Sequence, residues 1–174
     1  MHTDDQHSFD QRDDDTQQPD PTKVSLPLGY PPQWPLPTNP YNPLCWVVGQ
    51  PDIGPNCWIG AFTLIDGSGG LSIGKGCEVS SGAQILTHSS MRRCISERRY
   101  PHVDRAPTRI GDHCFVGTNA VILMGSTIGH HSVVAAGAVV KEFSEFPPYS
   151  LIAGVPAVRK GEVDPSRFAD PDQP

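Results

Sequence analysis

Of the seven histidines in this chain, His88 is the one best placed to move a proton. A free imidazole titrates near ~6.5, so it can take a proton from a substrate at neutral pH. His88 ends a regular stretch of sequence and opens a long irregular one. The residues alone leave two readings of it open, a general base or a solvated corner side chain. Its rivals are weaker. His2 and His7 lie in a polar N-terminal stretch, His102 in the irregular stretch, and His113, His130 and His131 at turn positions expected to be exposed. Asp66 offers a carboxylate to such a histidine or to a ligand, or else is a turn aspartate on an exposed face. Arg92, Arg93, Arg98, Arg99, Arg105 and Arg109 crowd into residues 91–109. They form a solvated face, or a set of guanidiniums able to grip phosphate or carboxylate in bidentate fashion.

No metal is expected. A catalytic zinc needs three converging ligands and an open position. Consecutive His130 and His131 are expected to point in different directions, and no Cys-x-x-Cys pair exists. Cys57, Cys77 and Cys114 occupy positions that Thr, Ala or Ser fill elsewhere in the regular stretch. They are expected to be small, reduced, buried hydrophobes of a cytoplasmic protein rather than disulfides or metal ligands.

These residues are positioned by a repeat. A β-branched residue returns every six positions at Ile53, Ile59, Ile65, Ile73, Val79, Ile85, Ile110, Val116, Ile122, Ile128, Val134 and Val140. Four positions after each stands a small residue, from Cys57 and Thr63 through Ala138 and Ser144. A period of six fits a short strand plus a sharp turn rather than a helix. Three such units close one triangular coil, and stacked coils bury what one coil cannot. With the faces named A, B and C in order, Ile65, Ile85, Ile122 and Val140 stack on face C. Ser68 then lies beneath His88 and Gly125 above it, so small residues flank it. Gly54, Gly74, Gly111 and Gly129 follow the face A block start and are expected to supply backbone conformations that a β-carbon forbids. The repeat breaks near Gly70 and again at Met91–Arg109, so a loop leaves beside His88.

The fold class is therefore all-β, a parallel solenoid. Residues 1–45 divide into an acidic tail expected to be disordered and a Pro-rich arm whose prolines exclude helix and central strand. The repeat domain spans 46–160 with the loop 91–109, and 161–174 form a C-terminal tail. Residues 1–20 hold seven aspartates against Arg12, which accounts for the whole net charge of −6. The remainder is balanced and advertises neither nucleic-acid nor membrane binding. No apolar stretch is long enough for a membrane span, and the N-terminus lacks the apolar core of a secretory signal.

The chain resembles the hexapeptide-repeat acyltransferases, and within them the maltose and galactoside O-acetyltransferases and their polysaccharide-modifying relatives. The resemblance covers roughly residues 46–160. It is carried by Leu64-Ile65-Asp66, Ile73-Gly74, Thr87-His88, Ile110 to Gly117, Ile128-Gly129, Val133 to Val140 and Ala153-Gly154-Val155-Pro156-Ala157. It implies a left-handed parallel β-helix, a homotrimer with sites between subunits, and acetyl-CoA-dependent transfer to a sugar hydroxyl. By that resemblance His88 is the base and Asp66 meets the acceptor; Ser68, from its register beside His88, and Arg92 and Arg93, from their charge, are expected to meet it too. Coenzyme A then follows Phe115, Gly117, Thr118, Ala135 and Ala136 toward Ala153, with Lys141 and Arg159 near its phosphates. Two departures bear on those phosphates. Lys141-Glu142 stands where relatives commonly have Thr-Lys, and Val158 displaces Arg159 by one position. The arginines of the loop extend the expectation to an anionic acceptor. Transfer to a sugar amine is the alternative within the enzymes, and a non-catalytic β-helix scaffold the alternative outside them.

Overall fold

Each repeat block folds as a strand of two or three residues and a tight turn. The β-branched residue favours extended backbone, and the small residue after it leaves the chain room to turn inward. The structure, a computed structural model, describes residues 41–168. The expectations for the acidic tail, for the prolines up to Pro40 and for residues 169–174 lie outside the described residues.

Three parallel sheets enclose one core. Face A is built from β2 (Asp52–Ile53), β5 (Leu71–Ile73), β10 (Thr108–Ile110), β13 (Thr127–Ile128) and β16 (Glu145–Phe146). Face B holds β3 (Trp58–Ile59), β6 (Glu78–Val79), β11 (Phe115–Val116), β14 (Val133–Val134) and β17 (Ser150–Gly154). Face C holds β1 (Trp46–Val48), β4 (Leu64–Asp66), β7 (Gln84–Ile85), β12 (Val121–Ile122) and β15 (Val139–Val140). On face C, Val47, Ile65, Ile85, Ile122 and Val140 lie in register, as the repeat requires, with Val47 an added rung. Phe146 and Ile152 extend faces A and B beyond the last readable block. The final strand β18 (Ala157–Glu162) folds back antiparallel on β17.

Coils are joined by backbone hydrogen bonds such as Gly54 N–H to Ile73 O and Gly111 N–H to Ile128 O, each 2.8 Å. Side chains add a second ladder: the thiols of Cys57, Cys77 and Cys114 donate to the carbonyls of Gly74, Gly111 and Gly129 at 3.0, 3.1 and 3.2 Å. Ser132 continues that ladder, donating to the Pro147 carbonyl at 3.4 Å. This is why Cys and Ser interchange along this edge: each is small and each can donate.

The face A glycines differ from expectation. Their φ angles are not positive. Instead a β-carbon on Gly54 would come 2.6 Å from the Lys75 nitrogen, and one on Gly111 2.5 Å from that of His130. Close approach of the next coil excludes the side chain. The positive φ angles fall two residues later, at Asn56, Gly76, His113 and His131, and again at Tyr149.

The loop is also shorter than the break in the repeat. Thr108 and Arg109 already pair with Leu71 and Ser72, so the chain is back on face A before Ile110. Within the excursion, α1 (Met91–Ile95) is followed by β9 (Asp104–Arg105), which pairs antiparallel with β8 (His88–Ser89). No helix among the described residues is long and apolar enough to cross a membrane.

Candidate active site

Asp66 closes strand β4 where face C turns toward face A, and His88 occupies the same corner one coil above. The side chain of Asp66 is 1% exposed and that of His88 42%. The carboxylate reaches up between the coils. It accepts the Ser68 N–H at Oδ1 (2.9 Å) and the Thr87 N–H at Oδ2 (2.9 Å). The Thr87 hydroxyl lies 3.0 Å from the same Oδ2 and accepts the Gly69 N–H at 2.8 Å. His88 Nδ1 lies 2.6 Å from Asp66 Oδ2. A carboxylate can only accept, so Nδ1–H donates and the lone pair of Nε2 is left for a substrate.

Burial by itself would raise the Asp66 carboxyl. Hydrogen bonds from Ser68, from the Thr87 and Ser68 backbones and from His88 outweigh it and hold the group well below the usual carboxylate range. The anion is therefore permanent at neutral pH and fixes the imidazole in one tautomer. Gly69 permits the arrangement, since a β-carbon there would run into the Thr87 carbonyl.

The structure thus brings Asp66 and His88 together and buries Asp66, which the sequence allowed to be a turn residue on an exposed face. Its hydrogen-bond partners are Ser68, Thr87 and His88 rather than solvent. Ser68 Oγ sits 3.5 Å from His88 Nδ1, at the limit of a hydrogen bond and with that proton already given to Asp66. Arg92 and Arg93 lie on α1. The Arg92 guanidinium stacks 3.9 Å over the Tyr100 ring, and the Tyr100 hydroxyl donates to Asp104 at 2.8 Å. Arg93 is half-buried.

The residues expected to hold the coenzyme stand elsewhere. Phe115 is 42% exposed on face B, beside a groove of about 480 Å³ that His131 and Val133 also line. Gly117 and Ala135 are consecutive rungs of one turn, and exposed Thr118 and Ala136 follow them on the edge between faces B and C. At Gly137 that edge is open: nothing lies within 4 Å of a β-carbon placed there. Ala153 pairs with Val158 in the closing hairpin. The Arg159 side chain donates to Ser150 Oγ at 3.1 Å and meets Glu162 at 3.8 Å. Lys141 is exposed on the edge of His88, not on the edge of Thr118. One chain therefore presents His88 and the expected coenzyme row on different edges of the prism.

Several residues of the site escaped the sequence. Thr87, fully buried beneath Asp66's carboxylate contacts, had only its place beside His88 as a signal. Arg105 was legible only as one of six loop arginines, and its pairing across from His88 was not, because the loop has no period. Above His88, Met124 and Gly125 continue the register of Ile122 on Ile85, and the Phe143 ring covers Gly125. Between this corner and α1 lies a cavity of about 650 Å³.

The histidine turn residues also form more than a solvated surface. His130 Nδ1 and His131 Nδ1 are 2.9 Å apart, so neighbouring histidines here do converge. The positive φ of His131, 56°, swings its ring into the ridge. His131 stacks on Tyr149 at 5.2 Å and tilts against His113 at 5.0 Å. Among the described residues, no group of three or more His, Cys, Asp or Glu side chains could hold a metal ion.

Comparison with known proteins bears on this arrangement. A family profile described as the hexapeptide repeat of succinyl-transferase matches residues 52–86 and 107–142, either side of the loop. The chain is 30% identical over 124 residues to the bifunctional protein GlmU of Anaplasma marginale, covering 63% of this chain but 26% of that protein. It thus spans about a quarter of that relative's length. A hexapeptide-repeat containing acetyltransferase from Vibrio cholerae is 30% identical, with a TM-score of 0.50 over 69% of this chain and 70% of that one. AntD, an N-acyltransferase from Bacillus cereus solved with dTDP and coenzyme A, shares the fold at 20% identity. Its TM-score is 0.62, over 72% of this chain and 70% of AntD.

Proposed function

Since this chain belongs to the hexapeptide-repeat acyltransferases, whose fold is the left-handed parallel β-helix, we propose that it transfers an acetyl group from acetyl-CoA to a sugar hydroxyl, with His88 as general base. The observation that carries this reading is the 2.6 Å contact from His88 Nδ1 to the buried Asp66 carboxylate. It leaves Nε2 as the only basic position of the ring, on a side chain open to solvent. The thioester of the bound coenzyme supplies the activated carbonyl. His88 Nε2 takes the acceptor's proton as its oxygen attacks that carbonyl, and returns the proton to the departing sulfur. Asp66 stabilises the imidazolium between those events without itself moving a proton, and so is a positioning residue.

Placement of His88 and the Phe115–Thr118–Ala136 row on different edges supports a site shared between copies, and with it a homotrimer. The row is small and open enough for a pantetheine arm. Lys141 and Arg159 would then serve the phosphates from different directions, and Arg159 is already engaged by Ser150 and Glu162. Acetyl-CoA is a cytoplasmic metabolite, and a cytoplasmic site of action agrees with the free thiols of Cys57, Cys77, Cys94 and Cys114.

Thioester consumption with a panel of sugars tests the reading. His88→Ala is expected to lower turnover by about 10²–10⁴-fold in a protein that still folds. Turnover that survives His88→Ala, or none with any sugar, would overturn it. Matched hydroxy and amino sugars in the same assay separate O- from N-transfer.

A further inference from the structure

We propose that the cavity above His88 is an anion subsite, and that the acceptor carries a phosphate or carboxylate held by Arg92 and Arg105. The proposal rests on the acyltransferase reading of His88 and adds the charge class of the acceptor. Three observations carry it. First, the cavity adjoins the proton-transfer site. Arg105 stands opposite His88 in the two-stranded ribbon of β8 and β9, and Met124 and Phe143 form its floor one and two coils above His88's own.

Second, Arg92 is braced by an aromatic ring on an otherwise exposed segment. Its guanidinium lies 3.9 Å over the Tyr100 ring, and Tyr100 is itself tied to Asp104. Stacking holds the plane of the guanidinium while its N–H groups stay available in that plane, the geometry that receives an oxyanion. A merely solvated arginine has no such brace.

Third, the two cations have no salt-bridge partner. Among the described residues the ion pairs are Asp66–His88, Glu97–Arg99, Glu162–Arg159 and Asp164–Arg167. Neither Arg92 nor Arg105 is in one, although both line the cavity. The lining also holds Asp104, which accepts the Tyr100 hydroxyl, and Glu142, neither of them within ion-pair distance of Arg92 or Arg105. An anion of the acceptor would give the two guanidiniums a partner and place the rest of the sugar toward His88.

Calorimetric titration of the full chain with glucose 6-phosphate, glucuronate and glucose tests the subsite without requiring turnover. Both anions are expected to bind at least about tenfold tighter than glucose. The phosphate and carboxylate arms show which oxyanion is preferred. The double substitution Arg92→Ala with Arg105→Ala is expected to abolish the preference, whereas Arg98→Ala, outside the cavity, leaves it. Anions that bind no tighter than glucose would overturn the proposal, as would equal losses from Arg98→Ala and the double variant, which would mark a diffuse field. Thioester turnover on the same three sugars separates the two readings. Turnover of glucose as efficient as that of either anion removes the subsite and keeps the transferase. Anion preference in binding with no turnover of any sugar keeps the subsite and removes the transferase.

Discussion

A histidine that must take a proton at one ring nitrogen needs the other one committed, and Asp66 supplies that commitment. Asp66→Asn keeps the volume but removes the charge that selects the tautomer. The expected outcome is a fall in kcat/KM of on the order of 10²-fold, with nitrogen NMR of His88 showing the Nδ1 proton no longer favoured. A purely structural aspartate would leave that spectrum alone. The same substitution has a signature in stability. The folded-state pKa of Asp66 is depressed, so its contribution is complete above the unfolded value of about 3.9 and is lost as pH falls toward the folded one. Wild type should exceed Asp66→Asn by about 1.5–3 kcal/mol at pH 7, and the gap should close in acid below about pH 4. Denaturant titrations of both proteins across that range check it.

At the scale of elements, the turns carry the chemistry that the strands only space. The ridge of His113, His131 and Tyr149 runs up the edge between faces A and B, each residue with positive φ. Desolvation, then His113 and His130, push His131 below the ordinary imidazole value, against an opposing pull from Asp112. A base depressed on folding binds fewer protons folded than unfolded, so stability rises with pH through that window and falls below about 6.5. Melting between pH 7.5 and 5.5 should show a declining midpoint. His131→Asn, which suits a positive φ, should flatten the decline. An unchanged slope in that variant would assign it to other groups.

For the whole molecule, the prism has three edges and the expected site uses two of them. His88 lies between faces C and A, and Thr118 and Ala136 between faces B and C. If copies complete one another's sites, two inactive variants should rescue each other. Mixed and refolded His88→Ala and Ala136→Trp chains should recover about a quarter of wild-type activity, the fraction of interfaces that pair an intact histidine with an intact coenzyme edge in a random cyclic assembly. Neither variant alone should show it. Sedimentation of the same samples reports whether the assembly is a trimer.

The amino-acid sequence by itself determined the period, the three faces and the stack of His88 between Ser68 and Gly125. A solenoid repeats its contacts locally, so side-chain spacing along the chain becomes spacing in space. Tertiary structure decided what each corner does. Asp66 could have been a surface turn residue until the coil above placed Thr87 and His88 over its carboxylate. The glycines of face A proved to be excluded by a neighbouring backbone, which no single coil contains. His130 and His131 converge because one of them takes a left-handed φ. Arg105 meets His88 through an antiparallel pairing inside the break, and non-periodic sequence carries no register from which to read it.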